Sequence, residues 1–437
     1  MQIILLSGGS GKRLWPLSND IRSKQFIKIF RQPDGEYESM VQRVYRQIRA
    51  VDPDARITIA TSKSQVSAIH NQLGDGSVGI SVEPCRRDTF PAIALATAYL
   101  HDVMGVGEDE PVVVCPVDPY VQDDYFLALR QLSDLAASGV ANLTLMGIQP
   151  TYPSEKYGYI IPGESLREGC SRVRCFREKP TLPVAQEYIA QGALWNGGVF
   201  AYRLGYVLQR AHQLLQFTDY HDLFSRYDTL TKISFDYAVV EHETSIAVMP
   251  FSGEWKDLGT WNTLTEAMTE PTKGKVIMND TCVDTHVLNE LNVPVLCMGL
   301  QHLIISASAE GILVSDKEQS SYIKPYVDGI DQQVMFAEKS WGSYEVLDVQ
   351  PGSMTIKVTL NPGHRMNYHS HEQRDEVWTI TAGQGIVTID GQQRPVHPGD
   401  VINLPRGVRH TIQAQTPLSL IEVQLGDEIT VHDKQKY

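Results

Sequence analysis

Near the amino end, glycines, cations and a turn follow one another in an order that suits a polyphosphate. An apolar run, Gln2-Ile3-Ile4-Leu5-Leu6, leads into Ser7-Gly8-Gly9-Ser10-Gly11-Lys12-Arg13-Leu14-Trp15-Pro16-Leu17, and Lys24-Gln25-Phe26 follows. A buried strand feeding a glycine loop is the layout of a phosphate cradle. Gly8, Gly9 and Gly11 leave no Cβ between backbone N–H groups and phosphate oxygens. Arg13 and Lys24 add the charge that a triphosphate needs. The spacing excludes two common loops. A P-loop needs glycine where Leu6 stands and Ser or Thr where Arg13 stands, and a dinucleotide fingerprint needs a third Gly, or Ala, where Leu14 stands. Over these residues alone, a plain glycine turn after a strand reads the same way.

Two further groups could do chemistry. Val112-Val113-Val114-Cys115-Pro116-Val117-Asp118 puts a carboxylate at the carboxyl end of an apolar strand, where open α/β sheets bind ligands. Towards the carboxyl end, Gly363, His369-Ser370-His371, Glu376 and Gly383 have the spacing of the first cupin motif. Gly399, Pro405-Arg406-Gly407 and His410 have that of the second, with Ala414 where Asn often closes it. Strand alternation puts His369 and His371 on one face. With Glu376 and His410 they make a three-nitrogen, one-oxygen site for a divalent transition metal such as Zn²⁺.

The amino-terminal stretch resembles the sugar-1-phosphate nucleotidyltransferases, and within them the mannose-1-phosphate guanylyltransferases. Their signature, Gly-Gly-x-Gly-x-Arg-Leu-x-Pro-Leu followed by Pro-Lys-Gln-Phe, is matched at Arg13, Leu14, Pro16, Leu17, Lys24, Gln25 and Phe26, with Lys12 for Thr and Ser23 for Pro. The resemblance implies that Asp118 holds Mg²⁺ together with Asp257 of Trp255-Lys256-Asp257-Leu258-Gly259, although Pro119 replaces the usual His. It implies a nucleotide side at Glu83, Arg87 and Asp88 within Glu83-Pro84-Cys85-Arg86-Arg87-Asp88-Thr89-Phe90-Pro91-Ala92. There Asp88 replaces Asn and Phe90 replaces Ala. A carboxylate at 88 still accepts from the N–H edge of guanine.

On the sugar side the resemblance implies Tyr157 and Gly158 in a glycine turn, Glu178 and Lys179 in Phe176-Arg177-Glu178-Lys179-Pro180, and Asn196 in Trp195-Asn196-Gly197-Gly198. It also implies Asp236 in Ser234-Phe235-Asp236-Tyr237-Ala238. Lys179 would pair with the sugar phosphate, and Glu178 and Asn196 would read hydroxyls. Asp236 reads equally as a ligand or as a carboxylate at a helix amino end. The implied partners are GTP and mannose 1-phosphate, and the implied product is GDP-mannose. The carboxyl-terminal part resembles the type II phosphomannose isomerases of bifunctional relatives. Glu376 and Trp378 are kept, but His369, Val377 and Thr411 stand where Gln, His and Arg are usual. That leaves three alternatives: an added isomerase activity on fructose and mannose 6-phosphates, a non-catalytic cupin, or a transferase for another sugar phosphate.

These residues need elements to hold them. Up to about residue 265 strand-like runs such as Ile57-Thr58-Ile59-Ala60-Thr61 alternate with helix-like runs such as Ala92–Leu100. That alternation predicts an α/β, Rossmann-like domain over 1–270 with a mostly parallel sheet. Short β-rich pieces predict a β-helical connector over 271–335, and turn signals among apolar strands predict a β-barrel, the cupin, over 336–437. Pro294 belongs at a strand start or edge, and Asp390-Gly391 marks a hairpin.

With 437 residues, 42% hydrophobic and 21% charged, the composition is that of an ordinary globular protein. The net charge of −14 argues against nucleic acid or an anionic membrane as partner, and leaves room for a homo-oligomer. Six scattered cysteines, an opening strand in place of a signal peptide, and no long apolar run predict a cytoplasmic protein.

Overall fold

The opening strand, Gln2–Ser7, is apolar on both faces because it is central. It pairs in parallel with Arg56–Ser62 on one side and Pro111–Pro116 on the other. The structure, a computed structural model, describes residues 1–9, 12–19, 21–32, 34–331, 333–430 and 433–437. Its contacts divide the chain into two units, Met1–Gly9, Phe30–Val66, Gly76–Leu258 and Ser10–Ile29, Ser67–Asp75, Gly259–Tyr437.

The first unit is built on a nine-stranded sheet. From one edge the order is Gly79–Glu83, Arg56–Ser62, Gln2–Ser7, Pro111–Pro116, Leu194–Arg203, Leu143–Ile148, Ile246–Phe251, Cys170–Arg177 and Gly158–Arg167. Leu194–Arg203 and Cys170–Arg177 run against the rest, so the sheet is mixed within the mostly parallel plan. The Ala92–Leu100 run lies in helix Thr89–Ala98 and the turn after it. That helix is apolar all round because it is buried from Phe90 through Ala98. A capping box between Ser39 and Gln42 starts helix Met40–Val51.

In the second unit, Thr272–Lys273, His286–Asn289 and Leu303–Ser308 stack in parallel, and so do Val276–Met278 and Val295–Cys297. Parallel stacking of such short strands is the coil of a β-helix, as the sequence predicts. Pro294 falls just before its strand, where no ladder donor is needed. The cupin follows as a six-stranded sheet beginning at Phe336–Lys339 and a five-stranded sheet containing His369–His371 and His410–Ala414. Trp378, Val387, Ile412 and Leu420 form part of its core. Gly385–Ile389 and Gln392–Val396 form the expected hairpin. Both turn residues have positive φ, 46° at Asp390 and 82° at Gly391, which matches the right-handed twist of the flanking strands.

Candidate functional site

In the first unit, register brings two distant carboxylates to one place. Strand Trp255–Asp257 pairs antiparallel with Pro119–Val121, and Asp257 lies opposite Pro119, next to Asp118. Asp118 is half-buried and Asp257 exposed. Two carboxylates at one ribbon end are oxygen donors of the kind Mg²⁺ takes. The charge of Asp257 is also felt by Tyr157, whose phenol is pushed well above its usual range by burial, then by Asp257 and Tyr152.

Tyr157 belongs to an aromatic wall. Its ring lies 4.9 Å from Trp195 and 5.5 Å from Trp255, and Tyr152 lies 5.0 Å from Trp195. The indole nitrogens of Trp195 and Trp255 are buried without a hydrogen-bond partner, and so is Glu178 Oε2. Buried polar atoms are ordinarily paired, so two orphan donors and one orphan acceptor mark a place for a polar ligand. Gly158 is needed here because a Cβ would sit 2.5 Å from Glu178 Oε2 and 3.3 Å from the Asn196 Cβ.

The other sugar-side candidates converge in the same region. Lys179 Nζ pairs with Glu178 Oε1 at 2.8 Å. Asn196 donates to Asp236 Oδ1 at 2.7 Å and accepts from the Gly198 N–H at 3.1 Å. Burial, then the neighbouring Glu178 charge, pushes the Asp236 carboxyl up to about 6. Asp236 lies in the first turn of the short helix Phe235–Ala238, accepts from Asn196 and feels the Glu178 charge.

On the nucleotide side, Glu83 is buried and accepts from the Tyr227 hydroxyl at 2.8 Å. Asp88, at φ 70°, caps helix Thr89–Ala98 by accepting from the Thr89 N–H at 2.8 Å. Arg87 donates to the Asp228 carbonyl. Gly8 and Gly9 face open space, with Gly9 at φ 105°. The Gly9 carbonyl accepts from Arg86 at 3.2 Å and from Gln65 at 3.4 Å. Gly11 lies outside the described residues. Arg13 is exposed in the turn Lys12–Leu14 and Lys24 half-buried in the turn Lys24–Phe26, both in the second unit.

The cupin ligands form a single buried cluster. One candidate atom from each of His369, His371, Glu376 and His410 lies within 4.8 Å of the others. The Nδ1 atoms of His369, His410 and His371 lie 2.6, 2.9 and 3.3 Å from the backbone oxygens of Asn367, Val408 and Asp433. Tying Nδ1–H to a carbonyl turns Nε2 inward as the lone-pair donor, as metal-binding imidazoles require. Burial, then Lys434 and His410, holds the His369 imidazole down at about 2, so that it stays neutral. Burial would raise the Glu376 carboxyl, but the adjacent His371 and His410 rings hold it well below its usual range. The donor set fits a divalent transition metal.

Sequence reasoning missed Arg374, which lies 3.1 Å from both His371 Nε2 and Glu376 Oε1. A metal held by His371 and Glu376 would compete with that guanidinium for both side chains. Gln65 and Tyr227 are further missed residues, neither of them a charged or glycine position of a motif, and so is Arg86, which stands at an unspecified position of the Glu83–Ala92 motif. Trp255 stood beside Asp257 in a quoted motif and was the readable signal for the aromatic wall.

The family model for nucleotidyl transferases matches residues 2–274, and that for the cupin domain matches 356–424. The mannose-1-phosphate guanylyltransferase of Escherichia coli K12 is 29% identical, over 99% of this chain and 97% of its own. The xanthan biosynthesis protein XanB of Xanthomonas campestris pv. campestris B100 is 29% identical, over 98% and 96%. A crystal structure described as that of a mannose-1-phosphate geranyltransferase from Thermus thermophilus is 27% identical, with a TM-score of 0.61. It covers 75% of this chain and 98% of its own.

Proposed function

This chain belongs to the nucleotidyl transferase family, and from that premise we propose that it transfers GMP from GTP to mannose 1-phosphate, giving GDP-mannose and pyrophosphate. The observation that carries the reading is the sugar-side cluster. The orphan Trp195 and Trp255 N–H groups and Glu178 Oε2 offer hydroxyl partners, Lys179 offers a cation for the phosphate, and Asp257 stands next to Tyr157.

A phosphate oxygen of the sugar 1-phosphate attacks the α-phosphorus of GTP. The bond from that phosphorus to the bridging β-oxygen breaks, and pyrophosphate leaves. No side-chain nucleophile is required, because the obstacle is bringing two polyanions together. Asp118 and Asp257 would hold Mg²⁺, which supplies charge neutralisation on the triphosphate. Arg13 and Lys24 are the candidates for holding the leaving pyrophosphate, and Gly8, Gly9 and Gly11 for approaching the phosphates with backbone N–H groups. Glu83, Arg87 and Asp88 are the candidates on the nucleoside side. In the same reading residues 1–270 form the transferase, 271–335 the connector and 336–437 the cupin. Six unpaired cysteines support a cytoplasmic location. Among the described residues no helix is long and apolar enough to cross a membrane.

A second reading adds fructose 6-phosphate/mannose 6-phosphate isomerisation at the cupin. The buried His/Glu cluster favours it. Against it, the Thr411 hydroxyl is spent on the Met366 carbonyl at 2.6 Å, so that position offers no charge. One preparation decides both readings. Pyrophosphate release is measured over a panel of nucleoside triphosphates and sugar 1-phosphates, and isomerisation is measured beside it with His371→Ala as control. Preference for another pair over GTP and mannose 1-phosphate would sink the first reading. Absence of turnover from the metal-loaded protein would sink the second.

A further inference from the structure

The segment carrying Arg13 and Lys24 finds its polar partners in the connector and at the start of the cupin, within its own unit. Arg22 is 7% exposed, and its guanidinium donates twice to Glu290, at 2.7 and 3.0 Å. It also lies over the Phe336 ring, 4.9 Å from the centroid. Asn19 closes a local turn by accepting from the Ile21 and Arg22 N–H groups at 2.8 and 2.6 Å. Its amide then donates to Glu310 Oε1 at 2.7 Å and to the Phe336 carbonyl at 2.8 Å. Ser308 donates to the Pro16 carbonyl at 2.6 Å. A Cβ at Gly311 would lie 2.6 Å from the Trp15 ring, so the connector backbone meets this segment directly.

A planar fork held at both nitrogens fixes orientation as well as distance. Arg22 is two residues from Lys24, so the orientation of the fork is passed along a short, hydrogen-bonded stretch. We propose that Glu290 is a positioning residue for nucleotidyl transfer: through Arg22, and with Glu310 through Asn19, the connector sets the geometry of the segment that bears Arg13 and Lys24. This rests on the reading of Arg13 and Lys24 as phosphate ligands. It assigns the connector a part in catalysis without a contact to substrate.

The test uses the full chain with Glu290→Gln, Glu290→Asp and Glu310→Gln, the last covering a fold failure of the first. The expected result with Glu290→Gln is a fall of tenfold or more in kcat/KM for GTP, with the KM for mannose 1-phosphate unchanged within twofold, and partial recovery in Glu290→Asp. Hydrogen exchange should quicken across residues 12–29 but not across the sheet strand Gln2–Ser7. Unchanged kcat/KM for GTP would overturn the proposal, and so would a rise of more than twofold in the KM for mannose 1-phosphate. Exchange decides the mechanical half without any substrate. If the wild-type protein makes no GDP-mannose, the functional reading fails, while faster exchange across 12–29 upholds the coupling and unaltered exchange overturns it.

Discussion

Asp257 and Asp236 are both acidic and do opposite things. Asp257 is exposed, and its strand position lies opposite Pro119, next to Asp118. Asp257→Asn should lower GDP-mannose formation by about 10²-fold or more, the scale of losing one electrostatic partner of a transition state, with the melting temperature unmoved. Retained turnover in pyrophosphate release would remove Asp257 from the machinery. Asp236 has its carboxyl raised to about 6 from an ordinary 3.8. The native state therefore binds its proton more tightly than the unfolded chain. The stability this provides is complete below about pH 4 and is lost as pH rises through about 6. Asp236→Asn, which keeps an oxygen for the Asn196 amide, should match wild type in melting temperature at pH 4 and exceed it at pH 7.5. Equal differences at the two values would show that Asp236 is not held up by its surroundings. Both aspartates were readable as candidates because each sits in a short motif. The raised carboxyl of Asp236 was not, because its burial and its Glu178 neighbour are set by tertiary packing.

Elements explain which partners a motif leaves out. Alternation in a strand was enough to place His369 and His371 on one face, and hairpin chemistry was enough to mark Asp390-Gly391. The backbone oxygens that orient the imidazoles come from Asn367, Val408 and Asp433, residues with no side-chain signature for that task. Arg374 lies in sequence between the motif histidines and Glu376 at a position the motif does not specify, and it is buried against His371 and Glu376. His410→Ala should abolish stoichiometric divalent metal in the purified protein, read by elemental analysis. Arg374→Gln should instead tighten metal binding, since it removes the cation that competes for His371 and Glu376. Metal content indifferent to His410 would mean that the cluster is structural only.

At the scale of the whole molecule, a mixed nine-stranded sheet, short strands stacked in parallel and two cupin sheets follow one another along the chain. The contacts nonetheless cut across the order of the sequence. Segments Ser10–Ile29 and Ser67–Asp75 group with Gly259–Tyr437. No composition shift announces this, because the ties are single buried groups. Gln72 donates to Phe26 and Glu338, and Asn71 to the carbonyls of Lys339 and Gly342. Deleting residues 336–437 should thus reduce GDP-mannose synthesis at least tenfold, even though the family model for the transferase ends at 274. A truncated protein with full activity would show that the cupin is dispensable to the transferase. The tie between Asn19 and the Phe336 carbonyl spans 317 positions in the sequence. A ribosome reading from the amino end therefore releases the segment bearing Arg13 and Lys24 long before its partners exist. Central strands can pair as they emerge, but this stretch must wait, unsatisfied, until the chain is three-quarters made. Contacts of such long range are slow to form, so one of the first pieces synthesised is among the slow ones to reach its partners.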